Sequence, residues 1–165
     1  MATKTPRTIF LLRLLQLNIY NLMIERLRPA GLTPIQYLVL SILSRRTWST
    51  AELARRFHIA PQSMTEIVAS LQKKKLIARS KSLAHGRILN IRLTAAGIRR
   101  LERCNLAVDQ IERGVFADFA AQEIAQFRDY LRTALLKFPR RGDGRDSGTV
   151  GTAGDPANAR LRTAT

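Results

Sequence analysis

The sequence predicts a mainly α fold carrying a small β-hairpin. Apolar residues recur at helical spacing through most of residues 8–138, and only residues 76–94 break into the period-2 alternation of strands. Proline, glycine or a capping Ser/Thr marks most of the boundaries between segments. At 165 residues with 45% hydrophobic content, the chain is about one domain's worth and can bury a real core.

The first helix covers about residues 8–28, with an apolar surface that includes Ile9, Leu12, Leu15, Ile19, Leu22, Met23 and Leu27. That stripe is broader than one small domain covers, which suggests packing on a partner subunit. Lys4 and Arg7 ahead of Ile9 resemble the start of a secretory signal. Arg13, Gln16, Asn18 and Asn21 interrupt the apolar run, however, and no small-x-small cleavage site follows. The same interruptions argue against a membrane span. Pro29-Ala30-Gly31 ends the helix, Thr33 caps a second one and Pro34 occupies its first turn. Ile35, Leu38, Val39, Ile42 and Leu43 give this second helix an inward face.

Ser49 and Glu52 have the spacing of a capping box, so a short third helix starts there with Leu53, Ala54 and Phe57 inward. His58-Ile59-Ala60 leads directly into a fourth helix over residues 61–75. Pro61 sits at its first position, and Met64, Ile67, Val68 and Leu71 share a buried face. Its free side carries Gln62, Ser63, Thr65, Glu66 and Ser70, short hydrogen-bonding groups of the kind that read base edges in a DNA major groove. Two short helices joined by a tight turn, the second polar outside, make a helix-turn-helix.

Residues 76–82 and 88–94 read as two strands, with Leu89, Ile91 and Leu93 alternating with Asn90 and Arg92. The hairpin turns the motif into a winged helix whose tip residue Arg87 suits a narrow minor groove. Thr94 caps a long fifth helix with an apolar seam of Leu101, Cys104, Val108, Ile111 and Val115. A sixth helix over residues 121–138 turns Ile124, Phe127, Leu131, Leu135 and Phe138 inward, and Pro139 ends it. Residues 139–165 hold five of the nine glycines and few large apolar groups, the composition of a disordered tail.

Charge points to the partner. Twenty-eight Lys plus Arg against twelve Asp plus Glu leave +16, and no acidic residue occurs between Glu66 and Glu102. That stretch holds Lys73, Lys74, Lys75, Arg79, Lys81, Arg87, Arg92, Arg99 and Arg100, a basic surface for double-stranded DNA. Lys73, Arg79, Lys81 and Arg87 supply phosphate attraction. A single cysteine, Cys104, excludes an intramolecular disulfide and fits the cytoplasm, and its place on the apolar seam makes it structural. His58 and His85 belong to no nucleophile, metal or acid-base constellation, so the residues nominate no enzyme, no cofactor and no metal.

The order of these elements resembles the MarR family of bacterial transcriptional regulators. The resemblance rests on Leu32-Thr33-Pro34-Ile35-Gln36-Tyr37-Leu38-Val39-Leu40, Ser49-Thr50-Ala51-Glu52-Leu53-Ala54, Ser63-Met64-Thr65, the segment from Leu71 to Ile77, and Leu93-Thr94-Ala95-Ala96-Gly97. It implies a winged helix-turn-helix with N- and C-terminal dimerisation helices: a dimerisation helix in 1–32, the DNA-binding domain in 33–94, further dimerisation helices in 95–138 and the tail beyond. It also implies a homodimer on a pseudo-palindromic operator, acting as a repressor and released by a small aromatic or otherwise anionic effector. Arg13, Tyr20, Tyr37 and Trp48 are candidates to line the effector crevice. Where the family's wing carries an acidic residue two before its arginine, this chain has His85, which can approach phosphate itself. Two other readings stay open: an architectural nucleic-acid binder without an operator, and a winged-helix protein-interaction module.

Overall fold

The computed structural model describes residues 5–81 and 89–138. His85, Arg87 and the tail expected over 139–165 lie outside the described residues. The chain runs α1 (Thr8–Leu27), a 3-10 turn (Arg28–Ala30), α2 (Pro34–Leu43), β1 (Trp48–Ser49), α3 (Thr50–Phe57), α4 (Pro61–Lys73), β2 (Ile77–Lys81), β3 (Leu89–Leu93), α5 (Ala95–Val115) and α6 (Ala121–Leu135).

Local chemistry fixes most boundaries. Thr33 caps α2 reciprocally: Gln36 N–H donates to Thr33 Oγ1 at 3.3 Å, and Thr33 N–H donates to Gln36 Oε1 at 3.2 Å. Ser49 and Glu52 do the same for α3, whereas Ala60 gives α4 no side-chain cap. Three helical segments end in the same way, with one left-handed residue that lets the next amide reach back a full turn. Gly31 (φ 65) does this after the 3-10 turn, His58 (φ 53) after α3 and Lys75 (φ 58) after α4. After α4, Leu76 N–H donates to Leu71 O at 3.1 Å and both leucines are fully buried, so the turn is also stapled by apolar contact.

The sheet has three antiparallel strands in the order β1-β3-β2. Ile77 pairs with Leu93 and Ser80 with Asn90 in the hairpin, while Trp48 and Ser49 add a short edge opposite Ile91 and Asn90. That third strand is absent from the sequence reading because two residues carry no periodicity. Ile91 in the central strand, Leu40 of α2, Leu53 of α3, Met64 and Val68 of α4 and Leu27 at the end of α1 form one fully buried core.

Two apolar faces, those of α2 and α6, differ from expectation, and a third, on α1, is mostly uncovered. In α2 the buried stripe is Gln36, Tyr37, Val39, Leu40 and Leu43, and Leu38 is exposed. This helix is apolar almost all round, so several faces satisfy the period, and hydrogen bonds to Gln36 decide which one turns in. In α1 only Met23 and Leu27 are buried. In α6 no residue is buried, and Leu135 and Phe138, expected inward, are each 68% exposed. Among the described residues nothing buries the N-terminal part of α1 or the end of α6. Among the described residues, no helix is long and apolar enough to cross a membrane.

Candidate nucleic-acid interface

α4 is pinned by Met64, Val68 and Leu71, all fully buried, which leaves Gln62, Ser63, Thr65 and Glu66 exposed on the opposite side of its first two turns. Thr65 Oγ1 donates to Pro61 O at 2.9 Å, so its hydroxyl proton is used within the helix and only its lone pairs and methyl remain to meet a ligand. Ser70 departs from the expected set. Its hydroxyl is half-buried and accepts from Gln36 Nε2 at 3.1 Å, so it faces the body of the lobe.

The lysines that follow are not equivalent. Lys73 is exposed and free to meet a phosphate. Lys74 turns back: its Nζ donates to Gly31 O at 2.6 Å and to Gln36 Oε1 at 2.9 Å. Desolvation there, and the nearby Arg100 guanidinium, lower its pKa. Lys75 supplies the left-handed turn. Arg79 is exposed on β2, and Lys81 ends that strand. The exposed part of α4, Lys73 and Arg79 thus offer basic and hydrogen-bonding groups to solvent. The sequence reading missed Gln36, whose spacing from Thr33 is the capping-box signal that would have found it. It is the one buried polar side chain among the described residues.

The structure places the four residues expected to line an effector crevice in different surroundings. Arg13 and Tyr20 are exposed on α1, with Arg13 donating to Gln16 Oε1 at 2.7 Å. Tyr37 is buried, donates from its hydroxyl to Asn105 Oδ1 at 3.0 Å and has a pKa raised by desolvation. Trp48 is half-buried beneath the Arg46 guanidinium, 3.6 Å from its ring centroid. Sequence spacing could not separate these positions because all four sit on apolar or mixed faces. The crevice that does exist between the end of α2, β3 and the start of α5 has a volume of about 510 Å³. Arg45, Arg46, Arg92, Glu102 and Asn105 give it polar groups, and Leu43, Leu93, Ile98 and Leu101 an apolar wall. A second, apolar hollow of about 390 Å³ lies where Leu15 of α1 meets Phe116, Phe119, Phe127 and Tyr130.

Cys104 is buried on α5, and burial raises its thiol pKa against the opposing pull of Arg100 and Arg103. Glu52 of α3 has the reverse balance. Burial would raise its pKa, but hydrogen bonds from the Ser49 amide and hydroxyl, with Arg46 and Arg55 nearby, bring it below the usual glutamate value. Among the described residues no cluster of His, Cys, Asp and Glu has the geometry to hold a metal ion.

A MarR family model matches residues 30–88, which span the helix-turn-helix and the first strand of the wing. The HTH-type transcriptional repressor Rv2887 of Mycobacterium tuberculosis is 33% identical over 106 residues, covering 64% of this chain and 76% of that one. The chain belongs to the MarR family. The HTH-type transcriptional repressor MdtR of Bacillus subtilis is 32% identical over 76 residues, covering 46% of this chain and 49% of that one. Solved MarR structures share the fold. The apo form of MarR from E. coli has a TM-score of 0.70 at 20% identity and covers 80% of this chain and 99% of its own. Rv2887 in complex with salicylic acid has a TM-score of 0.65 at 29% identity, covering 81% and 99%. As a MarR-family member the chain is a winged-helix transcriptional regulator, and α4 is the second helix of its helix-turn-helix.

Proposed function

We propose that this MarR-family protein is a homodimeric, sequence-specific repressor in the cytoplasm, bound to a pseudo-palindromic operator and released by a small aromatic anion. One observation carries the reading. The polar side of α4 is free while its apolar side is locked into the core, so Gln62, Ser63, Thr65 and Glu66 can be presented to base edges as a rigid unit. Lys73 and Arg79, with Lys81, His85 and Arg87 of the wing, then hold the phosphate backbone.

The repressor assignment is supported by relatives such as Rv2887, which carry that name. Dimerisation is supported by the apolar exposure near the start of α1 and the end of α6, where Ile9 is 81% exposed, Phe10 57% and Leu136 79%. Apolar surface of that extent belongs at a subunit contact. The effector is supported by the crevice beside α5, where three arginines and an apolar wall suit an aryl carboxylate, and by the salicylic acid bound to Rv2887. Trp48, the only tryptophan, lies under one of those arginines and reports on the crevice by fluorescence.

Competition among genomic fragments tests the reading. A repressor retains a few fragments by a factor of about a thousand or more over the rest, and salicylate releases them. Equal retention of all fragments, falling steeply with salt, would instead favour an architectural binder, the reading that the +16 charge on its own supports. Weak binding without salt dependence would favour a protein-interaction module.

A further inference from the structure

Lys73, Lys74 and Lys75 look like one phosphate-binding cluster, but their geometry divides them. We propose that Lys74 and Gln36 are positioning residues that fix the orientation of α4 for base reading, and that Lys74 makes no phosphate contact. The proposal rests on the DNA-binding reading above.

Gln36 is only 7% exposed. Its Oε1 accepts from Thr33 N–H at 3.2 Å and from Lys74 Nζ at 2.9 Å, and its Nε2 donates to Ser70 Oγ at 3.1 Å. One amide therefore joins the N-terminus of α2 to two points on the last turn and cap of α4. Lys74 adds a bond to Gly31 O at 2.6 Å, in the turn between α1 and α2. On the preceding residue, Ala30 O accepts from Arg100 of α5. The end of α4 and the start of α5 are thus both referenced to adjacent carbonyls of one turn.

Directionality makes this arrangement matter. The apolar face of α4 holds it at a distance from the core, but apolar contact is non-directional and tolerates small rotations and slides. Hydrogen bonds at two points spaced by one helical turn do not. A base-reading contact fails with displacements of an ångström or less, whereas a phosphate contact from a flexible lysine does not. For Lys74 to reach a phosphate it would have to leave two acceptors, one of them on a buried amide.

The test compares Lys74→Met, Gln36→Met and Lys73→Met with the parent protein. Each is titrated at several salt concentrations with the tightest selected duplex and with a random duplex. Amide exchange across α4 is followed in the free protein. Lys74→Met should cut the ratio of selected to random binding about tenfold, keep random binding within about twofold and leave the slope of log K against log salt unchanged. Gln36→Met should do the same, and adding Lys74→Met to it should cost little more. Lys73→Met should weaken both duplexes alike and lower the slope by about one. If Lys74→Met behaves like Lys73→Met, Lys74 is a phosphate contact and the proposal is overturned. If the parent itself prefers no duplex, the DNA reading has failed, and exchange alone decides. Faster exchange around Ser70 to Leu76 in Lys74→Met then supports the clamp, and unchanged exchange overturns it.

Discussion

The carbonyl oxygen of Leu76 lies against the Cα of Gly97 and accepts the Thr94 amide at 3.0 Å. The entry of the wing and the first turn of α5 therefore touch backbone to backbone, with Leu93 closing the third side. Any Cβ at position 97 would overlap that oxygen, which neither rotates away nor compresses. Gly97→Ala should destabilise the fold by about 3 kcal/mol, the upper part of the range for forced overpacking, as a lowered midpoint in urea. Gly114→Ala, which meets nothing within 4 Å, is the control and should be neutral or stabilising.

His58 and Lys75 hold left-handed backbone that their side chains disfavour. His58→Gly and Lys75→Gly should each raise stability by roughly 0.5–1 kcal/mol, and alanine at either position should give no such gain. Thermal unfolding of the four variants checks this. Loss of stability in both glycine variants would mean that the side chains contribute more than the strain costs.

Glu52 contributes stability with a definite pH sense. Its folded pKa is depressed relative to the ordinary value of 4.5, so the unfolded chain takes up the proton first. The contribution is full above that ordinary value and disappears as pH falls through the depressed folded value. Glu52→Gln should therefore be less stable than the parent at pH 7, and the gap should narrow progressively as pH falls below 4.5, measured by urea unfolding across that range.

Cys104 has the opposite sense. Burial raises its pKa from the ordinary 9.0, so the folded state keeps its proton longer. Its contribution is full below that value and is lost as pH climbs through the folded pKa. Iodoacetamide at pH 8 should label the folded protein at least ten times more slowly than the urea-unfolded chain, since a buried thiol offers little thiolate. DNA affinity should be unchanged by mild oxidants. Rapid labelling with loss of affinity would make Cys104 a sensor.

Sequence period carried α4, α5 and the hairpin because each has one clear apolar face and a strong end signal, such as Thr94 before Gly97. It failed on α2, where Leu38 and Leu40 are equally apolar and only the bonds to Gln36 decide which turns inward. It failed differently on α6: the spacing of Leu135 and Phe138 predicts an inward face, but no described residue covers them. The exposure of Gln62, Ser63, Thr65 and Glu66 was legible from helical position alone. The division of labour among the three lysines was not, because it depends on a left-handed residue at 75 and on an acceptor 38 residues away in sequence.

The central claim is that the polar side of α4 reads base sequence. Selection from a random duplex library, with the parent and with Gln62→Ala, tests it most directly. The parent should enrich a pseudo-palindrome with half-sites about one helical turn apart. Gln62→Ala should relax the preference at one base position in each half-site, worth about 1–3 kcal/mol, and leave the others intact. No enrichment by the parent, or an unchanged preference profile in Gln62→Ala, would contradict it.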